Sequence, residues 1–389
     1  MDILKPKVLF IASNIPTPRR SSNRVIITIA GKLSRYFNIQ ILHPAERVPF
    51  PLSIFGKYKT IAKNKNWKDG QINIFSLKYL RLPGIGLSFL LLPFYKRKIE
   101  RFCEINGIPE LTHAHFILPD GYLALLIKKV YDIPYILSVR NSDLKYMDIL
   151  DSDSRIFKQY LTVLKDADKI IVHNRYQYDK LKVYGFESRI IAHGIEKELF
   201  FNNQGKNGEE IIISSIGQLI PQKNIDWVIN GIKEYRGDKK IKLFVAGDGM
   251  LRKELELSAT GLDAVFLGTI SHKEIINILG ESSIFALPSI NETFGLVYLE
   301  ATALKNAVIA SKNTGIWGHF EDNKEMLFCD SYESFRDKLH LLIDNDKIRS
   351  EIAESGFYKT KNNFTWDKII DIYKDIYTEL LDHFQNISN

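Results

Sequence analysis

The chain has 389 residues, 45 % hydrophobic and 25 % charged, as in ordinary globular proteins, and at about 100–200 residues per domain it predicts two or three domains. Its 13 prolines and 23 glycines exclude a collagen-like or largely disordered chain, and two cysteines, Cys103 and Cys329, exclude a disulfide framework and a four-cysteine zinc site and fit a reducing cytosol. The net charge of +7 and pI of about 9.0 put a nucleic-acid or membrane partner in view.

Short Val/Ile/Leu/Phe runs closed by Gly, Ser or Pro read as strands, and 3.6-residue periodicity reads as helix. The start, Lys7–Ala12, is a buried strand with no secretory cleavage pattern after it. A helix is predicted over Asn23–Phe37, with Val25, Ile29, Leu33 and Phe37 on one stripe, then a strand over Asn38–His43. Pro44–Gly70 has no clear period, and Gln71–Leu77 is strand-like. Phe89–Asn106 is helical despite Pro93. The run Gly84–Phe94 is about half a membrane span and is broken by proline, so a soluble or peripheral protein is expected. Strands follow at Leu111–His115, Tyr135–Val139, Lys169–His173 and Ser188–Ala192, and helices at Gly121–Val130, 151–167 and Tyr176–Tyr184.

Residues 201–210 are polar, Gly/Asn-rich and non-periodic, which reads as a linker. The pattern then restarts. Strands are predicted at Ile211–Ile216, Lys242–Ala246, Val265–Leu267, Ile284–Leu287 and Ala307–Ala310. Helices are predicted at Ile225–Tyr235, Met250–Ser258, Lys273–Leu279, Val297–Leu304, Tyr332–Asn345 and Trp366–Phe384. Alternating strands and helices imply α/β architecture with parallel sheets covered on both faces. Two such halves suggest two doubly wound domains facing across a cleft, with ligands beyond the carboxyl ends of the strands.

Pro288-Ser-Ile-Asn-Glu-Thr-Phe-Gly295 leads from a strand through a loop carrying Glu292 into a helix carrying Glu300. A helix start offers N–H groups to a phosphate. Gly295 permits close backbone approach, and each carboxylate can accept bonds from sugar hydroxyls. Glu-x7-Glu alone also fits a capped surface helix with two solvated carboxylates. Lys223, in Gly217-Gln-Leu-Ile-Pro-Gln-Lys223, and the paired glycines of Val245-Ala-Gly-Asp-Gly249 occupy two further strand-to-helix turns. A cation there suits a diphosphate.

Taken in this order, Ile216-Gly-Gln-Leu-Ile-Pro-Gln-Lys-Asn224, Val245-Ala-Gly-Asp-Gly-Met-Leu251, Val265-Phe-Leu-Gly268, Phe285-Ala-Leu-Pro-Ser289 and Asn291-Glu-Thr-Phe-Gly-Leu-Val-Tyr-Leu-Glu-Ala301 resemble the family 4 glycosyltransferases. The resemblance implies the GT-B fold: an acceptor-side domain over 1–200, a linker over 201–210, a nucleotide-sugar-binding domain over 211–365, and a helix over 366–389 packing back toward the first domain. It assigns Glu292 to the donor sugar, Glu300 to the ribose and Lys223 to the diphosphate. Gly247 and Asp248 join the donor site, and the backbone of Phe294, Gly295 and Leu296 contacts phosphates and sugar. Gln218 stands where the family has arginine, and a neutral amide cannot replace a bidentate guanidinium. Lys305 is considered as a compensating cation. Thr314-Gly-Ile-Trp-Gly318 lacks the acid of the family's corresponding segment, and His193-Gly-Ile-Glu-Lys-Glu-Leu-Phe200 resembles its interdomain segment.

In the first half, His113-Ala-His-Phe-Ile-Leu-Pro-Asp-Gly-Tyr122 and Ser138-Val-Arg-Asn-Ser-Asp143 resemble turns of bacterial polysaccharide-assembly members, teichuronic-acid-type enzymes especially. By that resemblance His115 contacts the transferred sugar and diphosphate, and Arg140 and Asp143 line the acceptor side. His113 is expected to be structural and to point the other way. A His-x-His metal site lacks further ligands at useful spacing. Arg20-Ser-Ser-Asn-Arg24 replaces the family's glycine-rich turn, with Asn23, which tolerates left-handed backbone, in the glycine's place. The resemblance implies transfer with retention, no metal or other cofactor, and a nucleotide-sugar donor, UDP-sugars being favoured. Asp151-Ser-Asp153 has metal-binding spacing but starts a predicted helix, where carboxylates cap.

Charge divides the chain. Residues 1–200 carry 32 Lys+Arg and 18 Asp+Glu, and the rest carry 21 and 28. Arg47-Val-Pro-Phe-Pro-Leu-Ser-Ile-Phe-Gly-Lys-Tyr-Lys59 and Leu87-Ser-Phe-Leu-Leu-Leu-Pro-Phe-Tyr-Lys-Arg-Lys98 mix apolar and basic residues, as an interfacial surface does; a core helix with a solvated basic end reads equally well. Lys96, Arg97 and Lys98 are the membrane-facing candidates, for a cytoplasmic protein peripheral to the anionic inner leaflet that reaches a lipid-linked glycan acceptor in surface-polysaccharide synthesis. A GT-B sugar-nucleotide epimerase or phosphorylase is the alternative. A nucleic-acid-binding protein is a second, against which the acidic second half and the lack of a recognisable nucleic-acid module argue.

Overall fold

The computed structural model describes residues 5–18, 24–47, 66–80, 87–201 and 210–388. The chain divides into two compact units, one of Met1–His173, Gln177–Ile191 and Ile370–Asn389, the other of Asn174–Tyr176 and Ala192–Ile369. Asn23, the segment 48–59 and residues 202–209 of the expected linker lie outside the described residues. Ala192–Phe200, placed by the sequence reading before the linker, belongs to the second unit. There Ile195 bridges to Thr365, and a Cβ on Gly194 would lie 2.7 Å from the Trp366 backbone.

The first unit is built on β1 (Lys7–Ile11), β2 (Asn38–Arg47), β3 (Trp67–Asp69), β4 (Ile72–Leu80), β5 (Leu111–Ala114), β6 (Tyr135–Ser138), β7 (Lys169–Val172) and β8 (Arg189–Ile190). They lie in the order β3-β4-β2-β1-β5-β6-β7-β8, all parallel except β3 against β4. Val8, Phe10, Leu111 and Ile136 are fully buried, as in a sheet covered on both faces. The order reverses between β1 and β5, so ligands are expected beyond those strand ends.

Several elements differ from expectation. β2 runs on through Pro44 to Arg47; β1 pairs with it only as far as Leu42, so one side of the strand is an edge where proline's missing N–H is tolerated. Pro93 confines Leu87–Tyr95 to 3-10 turns, and helix α2 (Lys96–Asn106) starts after it. α1 is shorter than predicted (Val25–Leu33), and α3 is Tyr122–Tyr131. The weakly periodic Asn141–Ile149 forms the unpredicted helix α4. α5 (Arg155–Asp166) is capped by Ser154, whose Oγ accepts from Phe157 N at 3.1 Å, while Asp151 and Asp153 lie in the preceding turn rather than capping. α6 (Arg175–Val183) follows β7.

The second unit has six parallel strands, β9 (Ile211–Ile216), β10 (Ile241–Ala246), β11 (Asp263–Gly268), β12 (Ile284–Leu287), β13 (Ala307–Ser311) and β14 (Leu327–Cys329). Their order is β11-β10-β9-β12-β13-β14, reversing between β9 and β12. The helices are α7 (Ile225–Glu234), α8 (Arg252–Ser258), α9 (His272–Glu281), α10 (Leu296–Ala303), α11 (Tyr332–Asp344), the polar and unpredicted α12 (Asp346–Asn363), and α13 (Trp366–Ser388). From Ile370 onward α13 belongs to the first unit.

Candidate active site

Lys223 follows β9 and Glu292 follows β12, the two strands at which the second sheet reverses. Lys223 closes a 3-10 turn, Pro221–Lys223, ended by Asn224 in left-handed conformation (φ 47°). Asn224 Nδ2 donates to Pro288 O at 2.9 Å, Ile290 N to Gln222 O at 3.0 Å, and Ser289 Oγ to Gln222 O at 3.2 Å. The lysine loop is thereby fastened to the strand end that launches Glu292, and Lys223 Nζ forms an ion pair with Glu292 Oε2.

Glu292 is also held from its own backbone. Its N–H donates to Thr314 Oγ1 at 2.8 Å, and its carbonyl accepts from Gly315 N at 2.9 Å and from Thr314 Oγ1 at 3.1 Å. The segment that the sequence reading found short of an acid is this clamp. Gly315 lies close against Glu292, where a Cβ would be 3.0 Å from Glu292 Cβ.

Gly295 opens α10 at φ 81°, and a Cβ on it would lie 2.5 Å from the Tyr298 ring. Phe294 is buried against His193 and His319, at ring separations of 4.9 and 5.2 Å, and Leu296 is half-buried. Glu300 is largely buried and accepts from His272 Nε2 at 2.8 Å. The β9 and β10 turns interlock: Gly217 N donates to Ala246 O, and a Cβ on Gly247 would meet Gly217 O at 1.8 Å. Asp248 and Gln218 are exposed. Asp248 Oδ1 accepts from Gly249 N at 2.8 Å, and its Oδ2 is 3.8 Å from Arg252.

Lys305 does not compensate for the missing arginine. It follows the last turn of α10, at the sheet edge opposite Glu292, near Glu354 (3.8 Å) and over the Phe357 ring (5.0 Å). An eight-residue helix is about 12 Å long, so its far end is out of reach of the loop at its start.

In the first unit, His113 and His115 lie on the same side of β5 and its extension. Their rings stack at 4.2 Å and 30°, and Phe10 packs against both. His113 therefore does not point away, because residues two apart on an extended strand share a face. Its Nε2 is 2.8 Å from Ser138 Oγ and its Nδ1 is 2.5 Å from Tyr377 Oη of α13. Burial, with Arg140 adding to it, pushes the His113 pKa down to about 3, so the ring is neutral.

Arg140 is buried beside His115, its Nε 3.4 Å from the His115 carbonyl, and burial lowers its pKa. Asp143 caps α4, accepting from Arg140 N at 2.8 Å and Ile117 N at 3.1 Å, and burial raises its pKa to about 7. Asp120 accepts from Ser13 N at 3.0 Å and is pushed well above the carboxylate range by burial. Asp120 and Tyr377 are members of this cluster that sequence reasoning did not select. Perturbed groups gathered at a sheet switch point mark a candidate site.

Lys96, Arg97 and Lys98 are exposed in the first turn of α2, beside the exposed Phe94. A cavity of about 410 Å³ lies elsewhere, beside Lys169, Arg189 and Glu379 at the start of β7 and β8. That is the sheet edge opposite His115, so it is not part of the chemistry described. Among the described residues no three His, Cys, Asp or Glu side chains converge as metal ligands, and no helix is long and apolar enough to cross a membrane.

Residues 196–358 match the family described as Glycosyl transferases group 1. The chain carries a group 1 glycosyltransferase domain. That domain holds Lys223, Glu292 and Glu300, and the protein is a glycosyltransferase. It is 29 % identical over 317 residues to an uncharacterized glycosyltransferase, MJ1178, of Methanocaldococcus jannaschii, covering 80 % of this chain and 85 % of that protein. It is 26 % identical to the putative teichuronic acid biosynthesis glycosyltransferase TuaC of Bacillus subtilis, over 56 % of this chain and 57 % of that one. Among solved structures, Anabaena Alr3699/HepE in complex with UDP superposes with a TM-score of 0.70 at 14 % identity, covering 96 % of this chain and 100 % of that chain. The same Anabaena protein is also known with UDP-glucose. The glycosyltransferase thus has the GT-B fold, as its sequence motifs led one to expect.

Proposed function

We propose that this protein is a retaining, metal-independent family 4 glycosyltransferase that moves a hexosyl or N-acetylhexosaminyl group from a nucleotide-sugar to a lipid-linked glycan in surface-polysaccharide synthesis. The observation that carries this reading is the Lys223–Glu292 ion pair at the switch point of the second sheet, beside the start of α10. A UDP-sugar is the favoured donor; the Anabaena relative in complex with UDP and with UDP-glucose supports it.

On this reading the bond from the anomeric carbon to the diphosphate breaks and one to an acceptor oxygen forms on the same face, the acceptor hydroxyl's proton passing to the departing diphosphate. Charge accumulates on the departing diphosphate. Lys223 and the backbone N–H groups at Phe294, Gly295 and Leu296 offset it without reorganising, because the turn bonds described above already fix them. Gly247 and Asp248 border the phosphates. Glu292 orients the sugar through its hydroxyls, and Glu300 takes the ribose diol. Gln218 leaves the site one cation short of the family pattern. In the first unit, His115 is assigned to the transferred sugar and Arg140 and Asp143 to the acceptor side.

The acceptor assignment draws on the basic first half and on α2. Three cations in a first helical turn, Lys96, Arg97 and Lys98, oppose the helix dipole, an effect that the Lys96–Glu100 pair (3.7 Å) and Lys98 over the Tyr95 ring (4.3 Å) offset only in part. With exposed Phe94 they suit an anionic cytoplasmic leaflet, at about 1 kcal/mol per cation. Flotation with anionic liposomes tests this part: neutralising all three should abolish binding at low salt, and unchanged flotation would remove the membrane from the account. Hydrolysis and transfer with UDP-, GDP- and ADP-sugars test the rest. Wild-type turnover in both Glu292→Ala and Lys223→Ala would overturn the site assignment.

A further inference from the structure

We propose that His272 is a positioning residue of the donor site, holding one oxygen of Glu300 so that the other meets a vicinal diol of the ribose; this rests on the reading of Glu300 given above. The two residues are 28 apart in sequence and come from different helices. His272 is the first residue of α9, and a capping box fixes that helix start. Ser271 Oγ accepts from Glu274 N at 3.3 Å, and Glu274 Oε2 accepts from Ser271 N at 2.7 Å. The imidazole is therefore presented to Glu300 from a rigid base.

The pairing is asymmetric in exposure. The His272 side chain is 66 % exposed and that of Glu300 13 %. The histidine covers the carboxylate from the solvent side without being part of the core. Capping of α9 is already complete without it, and a cation at a helix start works against the dipole. Helix stability thus gives no account of a histidine here, whereas orienting Glu300 does. A carboxylate with one oxygen held loses less rotational freedom when it engages a ligand.

The environment also makes this contact titratable. Pairing with Glu300 raises the His272 pKa, against a smaller opposing effect of partial burial. Of the elements packed on α9, β9 carries no ionisable side chain, and α10 carries Glu300 and Tyr298, whose hydroxyl donates to Leu287 O at 2.8 Å. On α9 itself Lys273 and the capping Glu274 are adjacent. The charge-assisted contact is complete below the ordinary histidine range and fades as pH rises through the raised value.

Calorimetric titration of UDP, GDP and ADP, and of their 2′,3′-dideoxy forms, into wild type, His272→Ala, His272→Gln and Glu300→Gln tests the proposal. The tightest of the three nucleotides should bind about threefold to fivefold more weakly to His272→Ala, the range of a partly exposed pair. His272→Gln should recover part of the loss, because its amide still donates. Wild-type affinity should fall as pH rises above the ordinary histidine range, and that fall should be absent in both His272 variants. The dideoxy forms should not distinguish His272→Ala from wild type. Equal or tighter nucleotide binding by His272→Ala, with Glu300→Gln weakened, would overturn the role of His272 alone. Undiminished binding by Glu300→Gln, or no binding of any nucleotide to wild type, would overturn the Glu300 reading and this inference with it.

Discussion

Replacing Lys223 with methionine removes the ammonium from a pair whose side chains are only 15 % and 20 % exposed. Two unit charges about 4 Å apart attract by about 4 kcal/mol at an effective dielectric of 20. Desolvation of both charges opposes much of that attraction, so the cost of removing one partner is chiefly the penalty on the one that stays. For a largely but not fully buried pair this should lower the unfolding free energy by about 2 kcal/mol, below the 3–5 kcal/mol typical of fully buried pairs. Lys223→Met/Glu292→Gln leaves no charge behind and should regain most of the loss. Donor affinity should behave differently. Hydrogen bonds to charged groups contribute about 1.5–3 kcal/mol, so Lys223→Met should weaken UDP binding by about one to two orders of magnitude, and the double variant should not restore it. Urea denaturation and calorimetric titration of UDP on wild type and these two variants separate the two roles. Wild-type UDP affinity in the double variant, or no stability change in Lys223→Met, would refute the reasoning.

Two further perturbations probe the two units, one in each. Gly295→Ala places a Cβ at φ 81° within 2.5 Å of the Tyr298 ring. The left-handed backbone alone costs about 1–2 kcal/mol, so urea unfolding should shift at least that far and UDP binding should weaken; an alanine variant indistinguishable from wild type would show that the start of α10 is not constrained. Burial raises the Asp143 pKa to about 7, above the roughly 3.9 of an unfolded aspartate. The folded chain then holds that proton more tightly, so this group's contribution is fullest below about pH 4 and is lost as pH rises toward 7. Asp143→Asn keeps an acceptor for only one of the Arg140 and Ile117 N–H groups and should lower stability overall, but with no titrating carboxyl it should flatten that decline in thermal melts, and an identical pH slope in both proteins would contradict it.

Strongly periodic or uniformly apolar segments were legible from sequence. β9, α7 and β12 fall where their patterns place them, and with them the loops carrying Lys223 and Glu292. Asn141–Ile149 was not legible, because its polar residues follow no helical stripe and its start depends on the Asp143 cap. Asp346–Asn363 is equally polar along its length, and Leu327–Cys329 is too short to announce a strand. In the site, local motifs pointed to Glu292 and Glu300, but their partners are set by tertiary folding. Thr314 reaches Glu292 across 22 residues, and His272 reaches Glu300 across 28. No local spacing encodes such contacts. The stacking of His113 on His115 could have been read from their i, i+2 spacing on a strand, and the bond from His113 to Tyr377, 264 residues away, could not.

The central claim is that the second unit binds a nucleotide-sugar at its switch point and that Glu292 serves its reaction. Following a panel of UDP-, GDP- and ADP-sugars by ³¹P and ¹H NMR with wild type and Glu292→Ala tests it most directly. The account predicts that wild type releases a nucleoside diphosphate from at least one donor, with the sugar product retaining the donor's anomeric configuration, and that Glu292→Ala does so far more slowly. Consumption of no donor, an inverted product, or equal rates in the two proteins would contradict it.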